Sequence, residues 1–136
     1  MKNIWCFALL VLVFWATGMC AAEVPNLLGN WTGSLSGYND GKGYSNVSEN
    51  GSILFNFEEQ KDSIFFGNIT IKLKNETEVA GFAGAIGLDN KTLYISQFDE
   101  GYSLGTMISN DKMKLVFLSD GKGGWVAIDK LYRVKV

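Results

Sequence analysis

The chain of 136 residues contains no histidine, and its two cysteines, Cys6 and Cys20, both precede Ala21. From Ala21 onward the commonest general base, the thiol nucleophile and histidine-ligated haem or metal are therefore unavailable. Carboxylates remain. Asp62, Asp89, Asp99, Asp111 and Asp120 stand in turn contexts, where a short acceptor side chain serves the backbone. Asp129 differs, because it lies inside an apolar run four residues before Arg133, and strand alternation puts the two on one face as a structural ion pair. Nothing sets two carboxylates across a cleft, as glycoside hydrolysis requires. Neither Asn39-Asp40-Gly41 nor Asp120-Gly121 continues into the alternating ligands and acidic twelfth position of a calcium loop. No glycine-rich phosphate cradle joins a strand to a helix. The expectation is a protein without catalysis, metal or cofactor.

Asparagine offers a different chemistry. Asn30, Asn46, Asn50, Asn68, Asn75 and Asn90 are each followed two residues later by Ser or Thr without an intervening proline, the acceptor pattern for N-glycosylation. Chance would give about one or two such sites in a chain of this composition. The excess suggests a glycoprotein; the alternative is a surface rich in Asn, Ser and Thr that generates the pattern incidentally. Used sites would also orient strands. Asn68 facing solvent turns Gly67, Ile69 and Ile71 inward, and Asn30 facing solvent turns Trp31 inward.

The amino terminus has the layout of a secretory signal peptide: Lys2, an uncharged apolar run from Ile4 to Ala16, then the small residues Thr17, Gly18, Ala21 and Ala22. Cleavage is expected near Ala22, leaving residues 23–136 as a single secreted or extracytoplasmic domain. Two alternatives stay open. One is an uncleaved membrane anchor, the only membrane association foreseen, since the uncharged stretch approaches spanning length. The other is lipidation at Cys20, against which Met19 argues. Without cysteine, the domain forms no internal disulfide, and packing and sheet hydrogen bonds must hold it. With 47% hydrophobic residues, 13% aromatic and 19% charged it can bury a core. A net charge of −2 supplies no field for nucleic acid.

Beyond Pro25 no amphipathic helix is evident, and apolar residues alternate in short runs. The runs are Leu28 to Leu35, Ile53 to Phe57, Ile64 to Leu73, Val79 to Leu88, Thr92 to Phe98, Tyr102 to Ser109, Lys112 to Leu118 and Trp125 to Val136. Most are separated by turn residues such as Lys61-Asp62, Asp89-Asn90, Glu100-Gly101 and Asn110-Asp111. Successive hairpins of this kind predict an all-β, eight-stranded antiparallel up-and-down barrel, which removes sheet edges by closing on itself. A two-sheet sandwich is the competing architecture. Gly37 to Gly51 reads as a long loop carrying Tyr38 and Tyr44. It is either a lid whose tyrosines touch a guest or a solvated, glycosylated loop.

Gly29-Asn30-Trp31 near the start of the first run and Arg133 near the end of the last carry a resemblance to a known group. The chain resembles the lipocalins and the wider calycins, which include the avidins, and is also similar to small uncharacterised exported proteins of methanogenic archaea. The lipocalin resemblance implies an eight-stranded barrel shut at one end by Trp31 packed beneath Arg133, a cation–π contact worth about 0.5–2 kcal/mol. The chain departs from lipocalins in lacking a disulfide pair and in being short. It also lacks a match to the polar biotin-contacting set of avidins.

The expected barrel interior is Trp31, Leu35, Phe55, Phe57, Phe65, Ile69, Phe82, Ile86, Leu104, Leu115 and Phe117. The leading functional expectation is a binding barrel for a small apolar or amphipathic molecule. Tyr38, Tyr44, Phe55, Phe57, Phe82, Gln97, Tyr102 and Phe117 would be its contacts. The alternative is a glycosylated structural or protein-interaction domain of the cell surface whose interior is simply filled. Apolar residues on both faces of Tyr94 to Phe98 and Val126 to Val134 suggest a homo-oligomer interface.

Overall fold

A computed structural model describes residues 23–46, 52–72, 76–120 and 123–135. The apolar segment 1–22, with the expected cleavage point and Cys20, lies outside these residues, as do Asn50 and Asn75. The described chain forms β1 (Gly29–Asn39), β2 (Gly43–Asn46), β3 (Ser52–Lys61), β4 (Ile64–Lys72), β5 (Thr77–Ile86), β6 (Thr92–Gln97), β7 (Tyr102–Ser109), β8 (Lys112–Ser119) and β9 (Trp125–Arg133). Apart from β2, these strands make an eight-stranded antiparallel barrel in sequence order. The seam is β1 against β9, paired continuously from Trp31–Arg133 to Asn39–Trp125, which rules out a two-sheet sandwich.

The expected loop over Gly37 to Gly51 needs correction. Gly37, Tyr38 and Asn39 complete β1, and β2 folds back on them, pairing Tyr38 with Tyr44 and Asn39 with Gly43. The turn is made possible by Gly41 and Gly43 at φ of 88° and 78°, backbone that residues with a Cβ rarely adopt. Tyr38 and Tyr44 meet edge-to-face at 5.1 Å. Their rings stand on the outer surface, and Tyr44 is 90% exposed. At the opposite end, the β5–β6 turn is held by Asp89, whose carboxylate accepts hydrogen bonds from the Thr92 hydroxyl and from the amides of Thr92 and Lys91. These bonds, the Thr92 hydroxyl first, lower its pKa to about 2.

Alternation determines the interior. Trp31, Leu35, Phe55, Phe57, Phe65, Ile69, Phe82, Ile86, Leu115 and Phe117 are buried, as expected. Leu104 is not: β7 turns Ser103, Gly105 and Met107 inward, leaving Leu104 43% exposed and Tyr102 51% exposed on the outer face. Leu115 already occupies the space at Gly105, where a Cβ would fall 2.2 Å from Leu115 Cδ2. Leu88, which ends the expected run from Val79, lies beyond the end of β5 in a turn and is fully exposed. At Gly33 and Gly67 neighbouring strands leave no room for a side chain; a Cβ would lie 1.8 Å from the Lys130 carbonyl oxygen and 1.9 Å from that of Asn56, so only glycine fits.

One end of the barrel is solid. Phe57 packs edge-on or tilted against Trp31, Phe65 and Phe82 at 6.3, 5.4 and 5.1 Å. The segment before β1 crosses this end and inserts Leu27, which is completely buried. Gln60 fastens it, accepting from the Leu27 amide and donating to the Pro25 carbonyl. The Trp31 indole donates to the Leu27 carbonyl at 2.8 Å. Arg133 lies over the Trp31 ring at 4.3 Å, donates to the carbonyls of Leu28, Asn26 and Asn110, and pairs with Asp111 at 3.3 Å. The closing contact between Trp31 and Arg133 is thus present.

Arg133→Lys keeps the charge and loses both the flat stack on Trp31 and the fork of donors. It should lower stability by about 2–3 kcal/mol in urea titrations. Phe57→Ala, which opens a void in the aromatic cluster, should cost about 3–5 kcal/mol.

Candidate functional site

The other end is hollow, and several of its inward positions carry smaller side chains. Moving toward it along β1, Trp31 and Leu35 give way to Gly37; along β5, Ile86 and Phe82 give way to Ala80; along β9, Leu131 gives way to Ala127. The result is an open-mouthed cavity of about 450 Å³. That is within the usual range for small-molecule sites, roughly 300–1,000 Å³. Leu35, Ile53, Phe55, Ile69, Ile71 and Ala80 supply apolar lining. Phe117 and Trp125, edge-to-face at 5.2 Å, make an aromatic wall. The Trp125 indole nitrogen lies where a side chain at Gly37 would begin, 2.7 Å from the position of a Cβ.

Polar groups are few and unevenly placed. Gln97 and Asn39 line the cavity, and Glu78, Asp99 and Glu100 stand at the rim, where the Ser119 hydroxyl donates to Glu100. Asp129 is deeper. It is only 2% exposed, and its strand neighbours facing inward are Leu35 on β1 and Leu115 on β8. Its Oδ1 finds no hydrogen-bond partner among the described residues, nor do the buried Trp125 Nε1 and Ser103 Oγ. The expected ion pair with Arg133 is absent because Leu131 intervenes on the same face. Four residues of strand separate the two Cα atoms by about 13 Å. Burial alone, with no compensating cation, raises the Asp129 carboxyl to about 7.

Of the contacts expected from sequence, Phe55, Gln97 and Phe117 meet in this cavity. Phe57 and Phe82 belong instead to the solid aromatic cluster, and Tyr38, Tyr44 and Tyr102 face outward. Sequence reasoning overlooked Glu78, Trp125 and the rim position of Glu100, and read Asp99 and Asp129 as structural. The parity of β5 and β9 carried the missing signal, since Glu78 is in phase with Phe82, and Trp125 and Asp129 with Leu131. Among the acceptor asparagines, Asn30 and Asn46 are exposed. Asn68 and Asn90 are half-buried, and Asn68 donates to Glu58.

Together these features define a closed eight-stranded antiparallel β-barrel, plugged at one end and hollow at the other. No protein-family model matches the chain, and no curated protein matches it. Among solved structures it is similar to a redesigned β-barrel, with a TM-score of 0.51 and 13% identity, over 88% of this chain and all of that one. At such low identity the likeness concerns the fold alone.

A carboxyl at about 7 when folded, against 3.8 ordinarily, binds its proton more tightly in the native state. Stability should therefore fall as pH rises from about 4 to 7, at up to roughly 1.4 kcal/mol per pH unit, and level off above. Asp129→Asn should remove that slope and exceed the parent by about 2 kcal/mol at pH 8, as chemical denaturation across this window would measure.

Proposed function

We propose that this chain is an extracytoplasmic, lipocalin-like binding barrel that holds a small apolar or amphipathic molecule at its hollow end. The observation that carries the reading is the cavity of about 450 Å³, walled by Phe55, Phe117 and Trp125 and open between the rim carboxylates. A barrel whose only task was to hold its own shape would fill this space, because interiors are close-packed and voids destabilise. Here the lining includes the small inward Ala80 where a larger side chain would fill the space. Export to an oxidising compartment is in keeping with the apolar leader-like run from Ile4 to Ala16 and with a fold that uses no thiol. The exposed Asn30 and Asn46 are accessible for glycosylation.

A second reading rests on the outer face. Tyr94, Leu104, Val116 and Ile128 are direct cross-strand neighbours from β6 to β9, and Tyr102, Leu118, Val126 and Tyr38 form a parallel row. Two adjacent apolar rows favour a surface that meets another protein, a second copy included. Sedimentation of the 23–136 chain separates the readings, because a dimer that Leu104→Glu converts to monomer would favour an interaction domain.

The test of the binding reading is native mass spectrometry of protein from its own source, before and after denaturation. A non-covalent excess of a few hundred daltons is the expected result. N-phenylnaphthylamine, a neutral fluorescent probe, should bind and brighten, and Ala80→Trp, which fills the cavity, should weaken it at least about tenfold. Equal binding by the filled variant would refute the cavity as the site.

A further inference from the structure

We propose that the molecule held in this cavity is an organic cation, an ammonium group carried on an apolar or aromatic body. The inference deepens the binding reading above and rests on it. Two independent observations support it. The first is the sign of the lining: Glu78, Asp99 and Glu100 stand at the rim and Asp129 lies in the depth, while among the described residues no lysine or arginine contributes. The second is the state of Asp129, 2% exposed, facing the cavity with Oδ1 unpartnered among the described residues.

A buried carboxylate without a partner is costly, and what removes the cost is a donor, best a charged one. None of the described residues supplies it. Among the described residues the lining offers Asp129 no cationic group: β1, β3, β4 and β8 contribute only uncharged side chains, β5 contributes Glu78, and the β6–β7 turn contributes Asp99 and Glu100. All the charges that the described residues present to the space are thus of one sign. A carboxylate ligand would meet repulsion at the rim and again at depth. A neutral ligand would leave Oδ1 with at best an uncharged donor. An ammonium is drawn through the rim, can pass the faces of Trp125 and Phe117, and ends against Asp129.

The proton balance is simple. When the Asp129 carboxyl is protonated, arrival of R–NH3+ expels that proton to solvent and leaves a carboxylate–ammonium pair. Affinity for the cation therefore rises with pH through the Asp129 titration, in agreement with a carboxyl already displaced upward by burial.

The experiment compares three probes with the same body: phenylbutylamine, phenylbutanol and phenylbutyrate, titrated calorimetrically into the 23–136 chain at pH 8. The amine should bind about ten- to a hundredfold more tightly than the alcohol, with the carboxylate weakest. Asp129→Asn, which removes an unpaired buried charge and so should fold, is expected to bring the amine down to the level of the alcohol while leaving the alcohol unchanged. Glu100→Gln, at the exposed rim, should weaken the amine by a smaller factor. Alcohol binding equal to or tighter than amine binding, or an amine preference that survives Asp129→Asn, overturns the cation and leaves the apolar cavity standing. Failure of all three probes overturns the cavity reading as well.

Discussion

Arg133 lying on Trp31 is the contact on which the rest of the barrel depends. A closed sheet has no edge only if its first and last strands meet, and these two residues begin the run of β1–β9 pairs. The same guanidinium holds the segment before β1 through the Leu28 and Asn26 carbonyls and the β7–β8 turn through Asn110 and Asp111. Five donors on a flat, permanently charged group suit this task better than any other side chain. Seam, crossing segment and turn are therefore fixed at one point. The Trp31 indole proton, which would otherwise be buried and unpaired, goes to Leu27 within the same arrangement.

A solid end makes a hollow end tolerable. The cluster of Phe57, Phe65, Phe82 and Trp31, capped by Leu27, concentrates apolar burial in one half of the barrel, so the other half is free to carry glycine and alanine at inward positions. Asp129 stands in that second half, between Leu35 and Leu115. Its burial subtracts from stability at neutral pH, a cost that packing at the solid end must offset. Sites for ligands commonly place such locally unfavourable groups on a scaffold stabilised elsewhere.

The strand count was legible because period-two alternation and turn residues agree along most of the chain, and Asp62, Asn90 and Gly101 do adopt positive φ at the expected turns. The short β2 escaped because Gly43 to Asn46 has no apolar alternation, although Asp40-Gly41 is a hairpin dipeptide and Tyr38 and Tyr44 a cross-strand pair. The facing of β7 was not readable from β7 itself. Leu104 and Ile108 on one side and Ser103, Gly105 and Met107 on the other are comparable, and the choice is made by Leu115 filling the space beside Gly105. The site was half legible for a similar reason. Large aromatics announce themselves, whereas a cavity is made in part by what a small residue such as Ala80 leaves out.

The β1–β9 seam has a consequence for how the chain is made. Arg133 donates to the carbonyl of Leu28 across 105 residues, so the contact that shuts the barrel joins nearly the first part of the domain synthesised to nearly the last. Until β9 has left the ribosome there is no partner for the free side of β1 and no cover for Leu27. The domain must stay open through almost all of its translation. A chain of this design acquires its shape only once β9 is free to meet β1.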